Sequence, residues 1–208
     1  MLNADVLTFQ EFAMHEPLPL SKIQSAVLEF LQGRDDAVLF GAQAVNAYVS
    51  EPRMTQDVDI LSTRAKELAE ELRSNLSDRF HIAVRVREIG EGKGFRIYQV
   101  RSEGNRHLVD LRNIDELPAT ETIENVKVLS PVELIASKVI SYHSRKGTPK
   151  SGTDWRDIAI LLLRFPSLKD EVTETLITKN IGEAILETWA EISRQNFQAE
   201  ERDGDLIY

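Results

Sequence analysis

The sequence feature that most constrains the fold is a pair of carboxylates inside an apolar run. The stretch RMTQDVDIL, residues 53–61, places Asp57 and Asp59 two residues apart, with apolar side chains between and after them. This two-residue period is typical of a β-strand with one buried face, so both aspartates are predicted to point to the same side. Two such carboxylates repel each other and cost free energy when they are buried without a partner. A shared divalent cation removes both penalties, and Mg²⁺ is a hard ion that prefers carboxylate oxygens.

The residues before the aspartates favour a phosphate-binding site. An isolated Asp-x-Asp pair is more often a solvated strand end with a helix-capping aspartate. Here a β-rich run, residues 37–40, stops at Gly41, and residues 42–49 have a helical pattern. A glycine at such a junction lets a phosphate approach the helix N-terminus, where free N–H groups and the helix dipole favour anions. Arg53 and Thr55 add a cation and a hydroxyl just before the acids.

A third carboxylate, Asp110, lies inside another strand pattern. Three strand-like runs, residues 81–89, 94–101 and 106–112, follow one another with hairpin-like links, and Asp110 lies between apolar residues in the third. Taken alone, Asp110 fits an outward-facing or edge-strand residue equally well. If its strand lies beside residues 57–62, however, three carboxylates converge, which suits a two-metal phosphoryl-transfer site.

The order of the elements predicts an α+β fold with a mixed sheet and a C-terminal helical lobe. Helices and strands share residues 1–129, without a regular β-α-β alternation. Residues 130–208 are helical, and their first helix starts with Ser130 as N-cap and Pro131 at the first helical position. The segment GTPKSG, residues 147–152, is predicted to separate this helix from a second one in DWRDIAILLLRF. We expect two domains with these bounds and an active site between them.

The charge of the chain bears on whether it binds nucleic acid. The net charge of −9 and the sequence pI near 5.0 argue against a protein coated with basic surface for nucleic-acid binding. Residues 79–112 are locally basic, and their arginines either form a basic sheet surface or simply solvate its outer face. The candidates are Arg85, Arg87, Arg96, Arg101 and Arg106.

Other features indicate a cytoplasmic protein without a membrane segment. The chain has no cysteine, which excludes disulfides and thiolate metal sites. No apolar run approaches the roughly 18 residues that are needed to span a bilayer. The first 20 residues lack the basic start and apolar core of a signal peptide.

Two segments together resemble a known family. LFGAQAVNAYVSEPRMTQDVDIL, residues 39–61, resembles the signature of the nucleotidyltransferase superfamily with the DNA-polymerase-β-like fold, in which a Gly-Gly or Gly-Ser pair opens a helix before Asp-x-Asp. Its Arg-x-Thr-x-Asp-x-Asp form is similar to the AbiEii-type toxin nucleotidyltransferases of bacterial type IV toxin–antitoxin systems. LSPVELIASKVISYHSR, followed by DWRDIAILL, resembles that family's lysine-bearing helix and its Arg-Asp-x-x-Asp-like helix. The resemblance covers residues 37–165.

The resemblance implies a role for each matching residue. Asp57 and Asp59 would ligate Mg²⁺, in a site for two metal ions, and Asp110 would be the third carboxylate, a metal ligand and candidate base. The triphosphate of an NTP such as ATP would lie against Gly41 and the backbone N–H of Ala42, where relatives have a second glycine or a serine. The other expected nucleotide contacts are Arg53, Thr55, Lys138, Arg145 and Asp157, with Asp154 close to the last.

The implied activity is Mg²⁺-dependent transfer of an NMP from an NTP to an acceptor hydroxyl. The acceptor would be a tRNA 3′ end or a protein, and a cognate antitoxin is an expected partner. Ala42 and the altered second motif also allow a different class of function, a nucleotide- or partner-binding module of a toxin–antitoxin pair with little catalysis. Transfer to a small molecule, as in aminoglycoside-modifying relatives, has no dedicated signal in the sequence.

Overall fold

A computed structural model describes residues 18–198 of the chain. The outer ends of the two predicted domains, residues 1–17 and 199–208, lie outside the described residues. The chain divides between Ser130 and Pro131 into two compact units. That each unit is an independent domain, with the bounds expected from the sequence, stays a prediction.

The first unit contains three helices and seven strands within the described residues. Its first half consists of α1 (Leu20–Leu31), β1 (Ala37–Phe40), α2 (Gly41–Tyr48), β2 (Val58–Ser62) and α3 (Ala65–Phe80). Its second half consists of β3 (Val84–Ile89), β4 (Gly94–Gln99), β5 (Arg106–Asn113), β6 (Thr120–Ile123) and β7 (Val126–Leu129).

All seven strands belong to one mixed sheet with the order β3-β4-β5-β2-β1-β7-β6. The pairs β2–β5 and β1–β7 are parallel, and the other neighbouring pairs are antiparallel. The predicted α+β fold with a mixed sheet is therefore confirmed. The sequence patterns did not reveal β6 and β7, because each is only four residues long and β6 is a polar edge strand. Glu124 and Asn125 both have positive φ and form the tight turn between them.

The register of the sheet places one face of β2 and β5 against the core. Val58, Ile60, Val109 and Leu111 are fully buried on that face. Helix α3 contacts β3, β4 and β5, and its own buried stripe is spaced at four residues, which is one helical face. Each large apolar side chain buried there contributes on the order of 1.5–3 kcal/mol. The alternate residues of β2 and β5, including the aspartates, consequently lie on the opposite face.

The second unit is helical in its described part, as predicted for the C-terminal lobe. Its elements are α4 (Pro131–Ser144), α5 (Pro149–Arg164), a 3-10 turn (Pro166–Leu168), α6 (Lys169–Thr178) and α7 (Glu183–Ser193). The predicted break over residues 147–152 is wrong from Pro149 onward, because α5 already begins at that residue. Proline suits the first helical position, where its fixed φ is helical and its missing N–H costs no hydrogen bond. None of the helices within residues 18–198 combines the length and apolar character that a bilayer crossing requires.

Candidate active site

The three predicted acids lie where β2 and β5 run side by side. Asp57 immediately precedes β2, and the parallel register pairs Asp59 of β2 with Asp110 of β5. The sequence period predicts the shared side of Asp57 and Asp59, whereas only the pairing of β2 with β5 brings Asp110 to them. One donor atom each from Asp57, Asp110 and His107 lie within 4.8 Å of one another.

His107 lies between two of the carboxylates, and the sequence analysis assigned it no role. Its Nδ1 is 3.2 Å from Asp57 Oδ2, and its Nε2 is 3.4 Å from Asp110 Oδ1. The contacts with Asp110 and then with Asp57 raise the pKa of His107 to about 10, although burial acts in the opposite direction. The imidazole is therefore protonated at neutral pH, and its positive charge offsets the repulsion between the acids.

A β-bulge explains why sequence spacing hid His107. Residues three apart on a regular strand point to opposite faces, so His107 and Asp110 would be separated. The register between β4 and β5 shifts, because Tyr98 pairs with His107 while Ile97 pairs with Val109. The extra residue, Leu108, turns His107 to the side of Asp110, as bulges commonly do beside functional sites.

Arg96 of β4 adds a second positive charge to the carboxylate cluster. Its Nε donates to Asp110 Oδ1 over 2.7 Å, from the position directly opposite Asp110 in the sheet. Burial alone would raise the pKa of Asp110, but His107 and Arg96 outweigh this effect and hold the pKa below its ordinary value. Asp110 is thus ionised at neutral pH.

Gly41 brings the start of helix α2 against Asp59. The antiparallel register of β1 and β2 pairs Phe40 with Asp59, so the next residue begins the helix beside the carboxylate. Gly41 has φ +70°, and a Cβ atom built on it would lie 2.7 Å from Asp59 Cγ. Both the backbone conformation and the lack of space therefore require glycine here. Ala42 follows on the same half-exposed helix start, which leaves its N–H group in the first turn without an intrahelical acceptor.

The loop that carries Arg53 and Thr55 is held by two buried amides that the sequence analysis missed. Asn46 Nδ2 donates to the Arg53 carbonyl over 2.8 Å, and the Arg53 N–H donates to Asn46 Oδ1 over 3.0 Å. Gln24 Nε2 donates to the carbonyl and the hydroxyl of Thr55 over 3.1 and 3.3 Å. Asn46 and Gln24 therefore fix the backbone just before Asp57. From the helical pattern of the sequence, Asn46 and Gln24 are recognisable only as polar residues in the interior of a helix.

The second unit gathers the remaining predicted residues into a charge cluster of its own. Lys138 is only 7% exposed, and its Nζ lies 2.7 Å from Asp157 Oδ2 and 3.7 Å from Asp154 Oδ1. Arg145 Nη1 lies 3.0 Å from Asp154 Oδ2. Asp157 is fully buried. Because a buried ammonium requires an opposite charge, Asp157 has a structural role in addition to the site role expected for it.

We expect the substitution Asp157→Asn to destabilise the helical unit by about 2 to 3 kcal/mol. The loss is smaller than the roughly 3–5 kcal/mol for a buried charge left wholly unpaired, because Asp154 remains beside Lys138. Both tryptophans of the chain, Trp155 and Trp189, lie in this unit, so urea unfolding followed by their fluorescence measures it selectively.

The exposed acid Glu174 offers a matched control for that measurement, since Glu174→Gln removes the same charge from the surface of the same unit. It should change the free energy of unfolding by less than about 0.5 kcal/mol. The double substitution Lys138→Met with Asp157→Leu should regain most of the lost stability. Equal effects of Asp157→Asn and Glu174→Gln would contradict the structural role.

The carboxylate cluster has the chemistry of a divalent-cation site. Asp57 and Asp110 supply oxygen atoms within 4.8 Å of each other, whereas the Asp59 carboxylate lies against Gly41, from the register position opposite Asp110. Oxygen ligands suit Mg²⁺, which usually takes one or two carboxylates together with substrate phosphates. His107 offers the cluster an imidazole nitrogen only when it is neutral. Asp57 and Asp110 therefore fit the predicted metal as hard donors, and Asp59 as a third ligand stays a prediction.

Sequence comparison gives a family match over most of the chain. The model of the family described as "Nucleotidyl transferase AbiEii toxin, Type IV TA system" matches residues 25–206. That range includes every residue predicted above for the site. A comparison with curated proteins found no match.

Solved structures share the fold at low sequence identity. JHP933 from Helicobacter pylori is 14% identical, with a TM-score of 0.53, over 90% of either chain. The Megavirus polyadenylate synthase is 11% identical, with a TM-score of 0.59, over 76% of this chain and 34% of that one. ANT(2″)-Ia, in complex with adenylyl-2″-tobramycin, is 16% identical, with a TM-score of 0.52, over 84% and 100%. These likenesses show a nucleotidyltransferase fold.

Proposed function

Because the chain belongs to the AbiEii toxin family of type IV toxin–antitoxin nucleotidyltransferases, we propose that it transfers the NMP of an NTP to an acceptor hydroxyl in a Mg²⁺-dependent reaction. The observation that carries the proposal is the pairing of Asp59 with Asp110 directly beside Gly41. This pairing places carboxylates that could bind a metal ion next to a helix N-terminus that could bind phosphate. The proposed class is that of nucleotide-transferring enzymes, EC 2.7.7.

The proposed reaction makes one phosphorus–oxygen bond and breaks another. The acceptor oxygen bonds to the α-phosphorus of the NTP, and the bond between that phosphorus and the β-phosphate oxygen breaks. Pyrophosphate leaves with the electron pair, and Asp110, which is ionised, accepts the proton of the acceptor hydroxyl. When bound, Mg²⁺ would be held by Asp57, Asp59 and Asp110 and would neutralise charge on the phosphate oxygens.

The other residues of the first unit position the substrate. The N–H groups at Gly41 and Ala42 donate to the triphosphate, and Arg53 and Thr55 contact it from a loop fixed by Asn46. Arg96 and His107 act indirectly, because they orient and neutralise the carboxylates. A backbone N–H still serves at Ala42, although the side chain of this residue has no hydroxyl.

The helical unit is proposed to supply cations for phosphate oxygens. Arg145 is the more available of its two predicted residues, since 42% of its side chain is exposed, against 9% for Lys138. Asp157 then acts through Lys138, which it holds at 2.7 Å. The family also implies a cognate antitoxin, and we propose such a partner for this chain in the cytoplasm, where its NTP substrate is available.

Isotope labelling tests the proposed function directly. The protein is incubated with Mg²⁺, total tRNA and lysate protein, and with each of the four NTPs labelled at either the α- or the γ-phosphorus. We expect label to reach an acceptor from α-labelled NTP only, because the NMP moves and pyrophosphate leaves. Removal of Mg²⁺ with EDTA should reduce the transfer to background.

The same assay distinguishes the competing functions. Transfer of γ-label would indicate a kinase and contradict the proposal. NTP binding without transfer of either label would instead support the nucleotide-binding module suggested by Ala42. Label found on tRNA, on protein or on neither identifies the acceptor class.

A further inference from the structure

Gln24 of α1 holds the loop before β2 with the NH₂ group of its side chain. The residue is buried, and its Nε2 lies 3.1 Å from the Thr55 carbonyl oxygen and 3.3 Å from the Thr55 hydroxyl oxygen. Gln24 lies just outside residues 25–206, which match the family model. The family match therefore assigns this residue no role, and its role follows only from its contacts with Thr55.

The backbone carbonyl of Thr55 determines how the two side chains are oriented. A carbonyl oxygen only accepts hydrogen bonds, so Gln24 turns its NH₂ group, and not its own side-chain oxygen, toward Thr55. The second hydrogen of that NH₂ group then points to the Thr55 hydroxyl oxygen, which is the acceptor of this bond. The hydroxyl hydrogen of Thr55 is consequently directed away from Gln24.

The hydroxyl hydrogen of Thr55 has no acceptor among residues 18–198. Thr55 is half-exposed and lies two residues before Asp57, one of the proposed metal ligands. A divalent cation on carboxylates usually also holds substrate phosphates, whose oxygen atoms carry negative charge. Such an oxygen atom is a strong acceptor for a hydroxyl group. The free hydrogen of Thr55 therefore suits a phosphate group of the NTP.

Asn46 fixes the loop that carries Thr55 relative to the start of helix α2. Its side chain is buried and pairs with both the N–H and the carbonyl of Arg53, two residues before Thr55. Ala42 lies one turn before Asn46, on the same side of α2. The loop is thus held on the side of the helix that Ala42 faces. Because Ala42 has no hydroxyl, Thr55 is the residue that offers a hydroxyl donor on this side.

We propose that Gln24 is a positioning residue that makes the Thr55 hydroxyl a hydrogen-bond donor to a phosphate oxygen of the NTP, an inference that rests on the proposed nucleotidyl transfer. Thr55 contacts the phosphate, and Gln24 acts through Thr55. Without the N–H of Gln24, the hydroxyl rotates and also donates to water, so it is oriented toward the phosphate only part of the time. Gln24 thereby strengthens NTP binding from outside the sequence motif that carries the carboxylates.

Binding of nucleotides that cannot react tests the proposal separately from catalysis. The four NTPs are used as α,β-methylene analogues, in which carbon replaces the bridging oxygen that leaves during transfer, and their Kd values with Mg²⁺ are measured by calorimetry. We expect Thr55→Val, which keeps the shape of the side chain, to raise Kd at least about tenfold through the loss of a hydrogen bond to a charged group. Thr55→Ser keeps the hydroxyl and should change Kd by less than about threefold.

A double-mutant cycle separates the orientation of the hydroxyl from general support of the loop. Gln24→Met removes the NH₂ group at nearly the same side-chain length and should raise Kd about fivefold. Combined with Thr55→Val, it should add less than about a factor of two, because no hydroxyl is left to orient. Gln32→Met makes the same exchange at an exposed position directly after α1 and should leave Kd within about twofold of wild type. Thermal unfolding checks that each variant is folded.

Gln24→Glu provides a second variant in case Gln24→Met does not fold. Its carboxylate has nearly the shape of the amide but no N–H, so it accepts the hydroxyl hydrogen of Thr55 and turns it away from the phosphate. Kd should then rise as much as in Thr55→Val.

Three outcomes would overturn the proposal: an unchanged Kd for Thr55→Val, an equal effect of Gln24→Met with and without the hydroxyl, or no binding of any analogue by the wild type. Analogue binding with the expected effects, but without transfer of label from α-labelled NTP, would support this role of Gln24 and contradict the proposed transfer. Transfer with unchanged Kd values in the variants would do the reverse, so the two failures are distinguishable.

Discussion

Replacing Asp59 by asparagine is expected to abolish nucleotidyl transfer, with a fall in kcat/KM of at least a thousandfold. Such a fall corresponds to about 4 kcal/mol of lost transition-state stabilisation. The physical reason is that asparagine has nearly the same shape but no negative charge for a divalent cation. Asp59 is paired with Asp110 and lies against Gly41, so no other carboxylate can take its place there. The measurement is the rate of transfer from α-labelled NTP at several Mg²⁺ concentrations.

Asp78→Asn provides the control, because Asp78 is exposed on α3 and loses the same charge. It should leave the rate within about twofold of wild type. Asp59→Asn should also remain folded, which thermal unfolding checks, because asparagine has nearly the same shape as aspartate. Wild-type activity of a folded Asp59→Asn protein would remove Asp59 from the site.

Replacing Gly41 by alanine is expected to reduce transfer at least a hundredfold and to destabilise the first unit. At φ +70° the left-handed backbone costs a residue with a Cβ atom roughly 1–2 kcal/mol. The added methyl group would also overlap the Asp59 carboxylate, so either the helix start or the carboxylate must move. A displacement of about 1 Å at a catalytic group is enough for such a loss in rate. Transfer kinetics and urea unfolding measure the two effects separately.

Gly33→Ala separates strain from the site. Gly33 has nearly the same φ, +73°, but a Cβ atom there would meet its nearest neighbour, Asn125 Nδ2, at an ordinary 3.5 Å. It should lower stability by about 1 kcal/mol and leave kcat/KM nearly unchanged. If both variants lost activity to the same extent, Gly41 would have no specific role beside Asp59.

The sequence patterns predicted best those features of the structure that depend on residues close together in the chain. The alternation around Asp57 and Asp59 indicated a strand with one buried face, and Val58 and Ile60 are indeed fully buried. The predicted fold class is confirmed because long runs of alternating or helical apolar residues dominate the chain. The break before α5 was placed too late, because Pro149 suits a helix start as well as a loop.

The sequence by itself determined the family and the mixed α+β fold, because these follow from local motifs and side-chain periods. The tertiary structure decided which distant residues come together. Strand pairing brought Asp110 and Arg96 to Asp59, and a bulge at Leu108 turned His107 toward the acids. Because both side chains are buried, the Lys138 ammonium is paired with the Asp157 carboxylate. Register, bulges and burial arise from contacts between residues far apart in the chain, so no short stretch of sequence contains them.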